Sequence, residues 1–353
     1  MKKVTIRDIA REANVSVGTV SKYLNGRTDM REDNRKAISE AIERLDYTVN
    51  MVARTLAHKP IKIGVLLSSA FDEYFNPMEE GIRSAVDSLV DHKVSAVYGR
   101  YAGYYDDQKI IDTLESYIRQ DVNGIILAPS RYYNSKQLIA RLEQARIPVV
   151  LMVSDADCGC RLAHVGIDAR LSGAVAADLA AFVLKENEAT AVFVGGNEVA
   201  EHKIKAESYC LNCRERKITL AGVYETQDDP KAAYQLTEDL LRRRPDLRLI
   251  YVATGNSVAV CQAIYSSGRQ DQVKVIATDI PRDLYSYVES GMVIGVLGQH
   301  LHTQGEVAVK TLYNYLAEGT LTRDEIKIAP ELMLRSAILS KRDGRTYDTD
   351  NIE

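Results

Sequence analysis

No apolar run in the chain approaches the roughly 20 residues that would cross a bilayer as a helix. The opening stretch, Met1 to Asp8, is too charged to hold the apolar centre of a secretion signal. Both absences lead to the expectation of a soluble protein that stays in the cytoplasm, where its 5 cysteines are reduced. Catalytic signatures are missing as well. There is no G-x-S-x-G elbow, no Walker A loop and no H-E-x-x-H pair. Val194-Gly195-Gly196-Asn197 follows a strand-like run but lacks G-x-G-x-x-G, which argues against a dinucleotide site. Cys210-Leu211-Asn212-Cys213 supplies a single C-x2-C knuckle where a zinc ribbon needs two, and Cys158-Gly159-Cys160 does not complete it. The 6 histidines are scattered; His202, His300 and His302 read as surface or rim groups. Neither an enzyme, a metal site nor a cofactor is expected. The polar tail from Lys341 to Glu353 has no leucine heptads, so a tetramerising coiled coil is not expected either.

Charge is unevenly spread. Residues 1–60 hold 12 Lys and Arg against 8 Asp and Glu, a net of +4, which leaves −8 on the remainder of a chain whose total is −4. A basic head on an acidic body suits a polyanion-binding module joined to a domain that does not bind polyanions.

The head, residues 1–46, has the pattern of three helices. Thr5-Ile6-Arg7-Asp8 is a capping box, followed by an apolar face of Ile6, Ile9, Ala10 and Ala13. Asn14-Val15 forms a turn, Ser16 caps a second helix with Val20 and Leu24 inward, and Asn25-Gly26 ends it. A third helix over Arg31–Leu45 buries Ala37, Ile38, Ala41, Ile42 and Leu45. Two short helices around a tight turn, braced by a third, predict a helix-turn-helix whose second helix enters the major groove of DNA. Ser16, Thr19, Ser21 and Asn25 suit phosphate contacts, and Lys22 suits a guanine edge. An ordinary three-helix bundle with ordinary caps is the competing reading of the same spacing.

Thr5-Ile6-Arg7-Asp8-Ile9-Ala10, Val15-Ser16, Thr19-Val20-Ser21 and Asn25-Gly26 closely resemble the head of the lac repressor family of bacterial regulators. The resemblance runs on through Leu45-Asp46-Tyr47-Thr48-Val49-Asn50 into Ala53-Arg54-Thr55-Leu56. It implies that Val17 and Gly18, which follow the capping serine, help to read bases. Gly18 has no side chain, so this chain gives up one reader, and Val17 can touch a thymine methyl. The expected DNA-contacting set is Thr5, Ser16, Val17, Gly18, Thr19, Ser21, Lys22, Asn25, Asn50, Ala53, Arg54 and Leu56. Within the hinge, residues 47–60, Asn50–Ala57 spans about two helical turns, too short to be stable alone in water, and His58-Lys59-Pro60 stops it. By resemblance this hinge folds on DNA, pairs with a second copy, and inserts Leu56 between bases in the minor groove, with Asn50, Ala53 and Arg54 at the groove wall.

The body, residues 61–340, alternates strand-like and helical runs. Strands are expected over 61–67, 94–98, 124–128, 149–153, 191–194, 249–253, 273–277 and 293–297, with helices over 78–90, 107–120, 135–145 and 172–185. This βαβα order makes parallel sheets covered on both faces, and its length calls for two lobes. The fold class is α/β. The body resembles the type I periplasmic sugar-binding fold, which implies an effector site outside the carboxyl ends of the strands.

That resemblance nominates Ser68, Phe75, Arg131, Arg170, Lys205, Asn256, Asp279 and Gln299 as effector-binding residues. Phe75 is placed on the loop after the first strand, able to stack on a sugar. Asp279 and Gln299 suit vicinal hydroxyls, and Asn256 is also a plausible helix cap. Lys205 stands where many family members have an arginine, and it cannot fork onto two oxygens. Arg100, Arg131, Arg170 and Lys205 together raise an anionic ligand such as a uronate or sugar phosphate, against scattered surface charge as the alternative. Tyr101, Tyr104 and Tyr105 are either a lobe surface, dimer contact, or cleft lining.

The resulting expectation is a transcriptional regulator, in this family most often a repressor. It binds a near-palindromic operator as a homodimer and answers to a small sugar, polyol or sugar-derivative effector. Two alternatives stand beside it: a cytoplasmic carbohydrate-binding protein or enzyme with a vestigial head, and a global regulator whose corepressor is a phosphocarrier protein docked on the first lobe.

Overall fold

The computed structural model describes residues 4–24, 30–45, 59–102, 107–129, 136–156, 159–196 and 199–342. Asn25, Asn50, Ala53, Arg54, Leu56, Arg131, Tyr104, Tyr105 and the tail beyond residue 342 lie outside the described residues, as does the side chain of Ser21.

The head consists of α1 (Ile6–Glu12), α2 (Val17–Leu24) and α3 (Glu32–Arg44). Asp8 closes the capping box, accepting the Thr5 backbone N–H at 2.9 Å and the Thr5 hydroxyl at 2.6 Å. Asn14 takes the left-handed conformation (φ 50°) that turns the chain between α1 and α2, a conformation asparagine tolerates better than most residues. Ile9, Ala10, Ala13, Val20, Ile38 and Ala41 form a separate small core, with Val15, Tyr23, Ala37, Ile42 and Leu45 packed around it. Each helix is too short to hold alone, so this shared apolar seam is what makes the three stable.

The first lobe runs through β1 (Ile61–Ser68), α4 (Asp72–Ser88), β2 (Val94–Tyr101), α5 (Asp107–Arg119), β3 (Gly124–Leu127), α6 (Lys136–Ala145), β4 (Val149–Met152) and β5 (Arg161–Ile167). The chain then builds the second lobe from α7 (Ala169–Val183), β6 (Ala189–Val194), α8 (Ala200–Glu215), β7 (Thr219–Glu225), α9 (Pro230–Arg243), β8 (Leu247–Val252), α10 (Ser257–Ser266), β9 (Lys274–Thr278), α11 (Tyr285–Glu289) and β10 (Val293–Gly298). It returns to the first lobe with α12 (Leu301–Glu318) and β11 (Glu325–Ile328), and closes the second with β12 (Glu331–Met333) and α13 (Arg335–Arg342).

The two sheets repeat one topology. Their orders are β2-β1-β3-β4-β5-β11 and β7-β6-β8-β9-β10-β12, parallel throughout except for the last strand of the second, which is antiparallel to β10. The inner strands are buried on both faces, as a parallel sheet between two helix layers demands. In each sheet the order reverses beside its first strand, and such a reversal opens a crevice at the carboxyl ends. The chain crosses between lobes three times. Two crossings are bonded together, the Asp168 N–H donating to the Ile328 carbonyl at 2.7 Å.

Two boundaries that bear on the expectations differ. The first body helix starts at Asp72 rather than 78: Pro77, its sixth residue, forfeits one backbone hydrogen bond without ending the helix. Phe75 is therefore on a helix, not on a loop. The helix α13 runs through Arg342, so the polar tail expected from Lys341 begins later; Lys341 donates to Glu331 at 3.0 Å and Arg342 to Glu289 at 2.6 Å.

α12 docks on α4 with almost no space between the backbones. A β-carbon on Gly81 would overlap the carbonyl oxygen of His302, and one on Gly305 would overlap that of Met78. Gly81→Val is expected to destabilise the protein by about 1–3 kcal/mol, the usual cost of overpacking. Urea unfolding reads this directly, and an unchanged midpoint would refute the close approach.

Candidate functional site

At the exposed start of α2, Ser16 Oγ accepts the Thr19 N–H at 3.1 Å and bonds the Thr19 hydroxyl at 2.8 Å. Two of the hydroxyls nominated for phosphates thus also cap the helix that would carry them, and the cap leaves neighbouring backbone N–H groups pointing outward. Val17 is 47% exposed and takes no part in the head core. An added side chain at Gly18 would meet only Ser16 Oγ, at 3.6 Å, so its missing side chain is not a packing requirement. Lys22 is exposed on the last turn of α2. Thr5 is the N-cap of α1 and is partly occupied by its capping box. An apolar residue left outside its own core, beside exposed hydroxyls and a lysine on one short helix, is a surface suited to base edges and phosphates.

The second site is a cavity of about 200 Å³ between the lobes, at the carboxyl ends of both sheets. Its first-lobe wall is aromatic: Phe71, Tyr74, Phe75 and Tyr101 line it with Ser68. Tyr74 and Phe75 meet edge to face, ring centres 5.0 Å apart. The Tyr101 hydroxyl donates to the Ala128 carbonyl at 2.8 Å, which settles this tyrosine as cleft lining rather than lobe surface.

The second-lobe wall is polar. Asp279, just after β9, is left-handed (φ 56°), and its two oxygens accept the Gln299 N–H at 3.1 Å and the Gln299 Nε2 at 2.6 Å. Gln299 Oε1 in turn accepts from Lys205 Nζ at 2.9 Å. Lys205 is only 2% exposed and also pairs with Glu201, one turn earlier on α8, at 2.5 Å. Burial raises the pKa of Asp279 above the usual carboxylate value, while the Gln299 hydrogen bonds and the Lys205 charge oppose that rise. Asn256 precedes α10 but makes no side-chain cap; its Nδ2 donates to the Thr226 hydroxyl at 3.0 Å. Thr254 and Asp228 are also hydrogen-bonded in the wall.

Of the nominated residues, Ser68, Phe75, Lys205, Asn256, Asp279 and Gln299 therefore meet in one cavity. Arg170 does not: it is exposed at the start of α7, away from the lining, where an arginine meets solvent at no desolvation cost. Arg100 is committed elsewhere, to Glu79 at 2.7 Å, the Ser68 carbonyl at 2.6 Å and Asn76 at 3.0 Å. The cations that raised an anionic ligand are thus dispersed, with Arg131 outside the described residues. His202, half-buried in the lining, is a rim group. Sequence reasoning passed over Glu73, Glu201 and Asp228. Glu201 was legible as the i−4 partner of Lys205. Asp228 was hidden in Gln227-Asp228-Asp229-Pro230, which reads as a turn. Cys213 is a core thiol whose pKa burial pushes up to about 12, with Cys210 half-buried beside it.

Comparisons with known proteins divide the chain at the same place. Residues 63–320 match the family model described as periplasmic binding protein domain, and residues 5–50 match bacterial regulatory proteins, lacI family. Catabolite control protein A of Streptococcus mutans is 27% identical over 92% of this chain and 94% of its own length. The HTH-type transcriptional regulator pepR1 of Lactobacillus delbrueckii subsp. lactis is 22% identical over 96% and 98%. Among solved structures, GanP, a glucose-galactose binding protein of Geobacillus stearothermophilus, superposes with a TM-score of 0.69 at 20% identity, covering 79% of this chain and 99% of its own. The periplasmic ribose ABC transporter of Conexibacter woesei gives 0.71 at 20% identity over 81% and 96%. With a periplasmic-binding-protein domain for a body and the lacI-type helix-turn-helix for a head, the chain belongs to the lacI family of bacterial regulatory proteins.

Proposed function

We propose that the protein is a sugar-responsive transcriptional regulator that acts at the nucleoid as a homodimer on a near-palindromic operator. Two heads related by a two-fold axis read two half-sites, α2 of each lying in the major groove. Val17 contacts a thymine methyl, Lys22 a guanine edge, and Thr5, Ser16, Gly18, Thr19, Ser21 and Asn25 border bases and phosphates. Asn50, Ala53, Arg54 and Leu56 take the hinge role that the family resemblance implies. A small hydroxylated effector occupies the inter-lobe cavity, flanked by Phe75 and Ser68 on one side and by Lys205, Asn256, Asp279 and Gln299 on the other. Structures sharing the fold are named for glucose, galactose and ribose, which supports a ligand of that class.

One observation carries the reading. Gln299 sits in the effector cavity and at a crossing between lobes, bonded to Asp279 and Lys205 on one side and, through its carbonyl, to Gln304 of α12 at 2.8 Å. A ligand that engages this group acts on the connection between lobes, and a change there is transmissible to the head. The intact core of the head speaks against the vestigial reading. The second reading, a global regulator whose corepressor is a phosphocarrier protein docked on the first lobe, is tested by a binding assay with a purified phosphocarrier protein.

Three outcomes are expected of the full-length protein. In gel shifts on genomic fragments, operator affinity falls steeply as salt rises, and an absence of any binding at low salt sinks the regulator reading. Lys22→Ala costs on the order of 1–3 kcal/mol of discrimination between the operator and single-base variants; equal weakening on every sequence makes Lys22 a phosphate contact instead. Asp279→Ala abolishes the effector response while DNA binding persists, and an unaltered effector dose curve removes Asp279 from the site.

A further inference from the structure

Among the described residues, Val153 is the one β-branched residue with left-handed backbone, φ 66°. A branched side chain collides with its own backbone in that conformation, so for valine it is strained. Val153 directly follows β4, and the Ser154 N–H donates across it to the Met152 carbonyl at 2.8 Å. A bond from the third residue back to the first, around a centre at positive φ, makes a γ-turn of the rare, strained hand. Val153 and Ser154 both line the inter-lobe cavity.

The turn is tied to the path between lobes. The Val153 N–H donates to the Val165 carbonyl at 3.3 Å, and the Val153 carbonyl faces His164 Nε2 at 3.3 Å. A carbonyl only accepts, so Nε2 is the donor of that bond. Gly166 keeps space for the ring: a β-carbon there would stand 2.9 Å from His164 Cε1. His164 and Val165 belong to β5, which pairs on its other side with β11 through Glu325 and Ile326. β5 and β11 both run into crossings, at Asp168 and after Ile328, and the Asp168 N–H bonds the Ile328 carbonyl there. The two 3.3 Å contacts are long for hydrogen bonds. The 2.8 Å bond that closes the turn is its firmest restraint.

We propose that this turn is a sprung element of the effector site: filling the cavity opens it, Val153 relaxes to extended backbone, and its bonds to β5 are released beside the crossings. The proposal rests on reading this cavity as the effector site. A ligand hydroxyl that accepts the Ser154 N–H, or donates to the Met152 carbonyl, replaces the bond that closes the turn. The preference of valine for extended backbone then drives the rest of the movement. Strain that its surroundings hold at a binding site is one way a fold stores a switch between two arrangements. The free energy released on opening adds to the affinity of the ligand, so the valine that destabilises the empty protein tightens the filled one.

The test compares Val153→Gly with Val153→Ala in the full-length protein. Both remove the two methyl groups of valine, and they differ chiefly in backbone preference: glycine enters left-handed backbone freely and alanine does not. In urea unfolding without ligand the glycine variant is expected to be the more stable of the two. A glycine variant that is less stable, or that fails to fold where the alanine one folds, overturns the strained turn. D-glucose, D-galactose, D-ribose, myo-inositol, D-glucuronate and D-glucose 6-phosphate are then titrated calorimetrically, first into the unaltered protein. A compound that binds is expected to bind the glycine variant roughly fivefold or more weaker than the alanine variant, because glycine gains nothing by opening. Equal affinities overturn the proposal and leave the sugar-effector reading standing. If none of the six binds the unaltered protein, the sugar-effector reading falls and this proposal with it. Val153→Asn against Val153→Thr repeats both measurements with side chains close to valine in size, asparagine being the one at ease in left-handed backbone.

Discussion

A lysine buried to 2% exposure must be paid for by partners, and the partners of Lys205 organise the middle of this molecule. Its ammonium meets Glu201 and Gln299, and Gln299 in turn satisfies both oxygens of Asp279. Removing Lys205 or Glu201 alone breaks a buried ion pair, at a cost of about 3–5 kcal/mol. The chain is therefore held to one geometry at the three places this network draws together: the middle of α8, the end of β9, and the crossing after β10. That crossing continues through His300, left-handed at φ 53°, into α12. α12 leaves the second lobe and packs against α4 so closely that only glycine fits at the contact. α4 in turn carries Phe75 and Glu73 back into the cavity. A closed circuit results, in which a group that lines the cavity is also a group that fixes the path between lobes.

The circuit gives a physical form to coupling. Glu73 on α4 accepts the Arg282 N–H of the second lobe at 3.2 Å, so the cavity mouth is bridged directly as well as through α12. Side chains packed at crystal-like density do not deform continuously; they exchange one arrangement for another. An effector that bonds Asp279 or Gln299 differently in two lobe arrangements shifts the balance between them by its difference in affinity, and by no more. Reciprocity follows, since whatever the effector does to operator affinity the operator does to effector affinity.

Much of this was legible in the sequence because the signals were periodic. The head core of Ile9, Ala10, Ala13, Val20, Ile38 and Ala41 follows from helical spacing, and the strands buried on both faces show as short continuous apolar runs. What escaped notice had weaker local signals. β5 and β7 are interrupted by His164 and Gly222, and β11 and β12 are short edge strands with exposed positions. Pro77 disguised the start of α4, and so misplaced Phe75 on a loop. Asp279 and Gln299 were found because strand ends can be located. Asp228 was missed because an acid in a turn before proline ordinarily caps a helix, and its neighbour Asp229 does so, accepting the Lys231 N–H at 2.9 Å. Which of two adjacent acids faces a cavity depends on the left-handed backbone at Gln227 and Asp228, which composition does not announce. Arg170 erred the other way: its position beside a strand end suggested the cavity, and the start of α7 turns it to solvent.

Charge alone cannot carry the message from body to head. The body's surplus of −8 would repel DNA, but at physiological ionic strength fields between exposed charges fade over about 8 Å. Filling one small cavity alters that charge by about two units at most, the charge of a phosphate monoester. The head also has its own sealed core, so its fold does not depend on what the cavity contains. On the proposed reading, control travels along the polypeptide that joins head to body between residues 46 and 58. The sequence offers at most two helical turns there, too few to be stable alone, so one ligand's differential binding is large enough to bias such a segment.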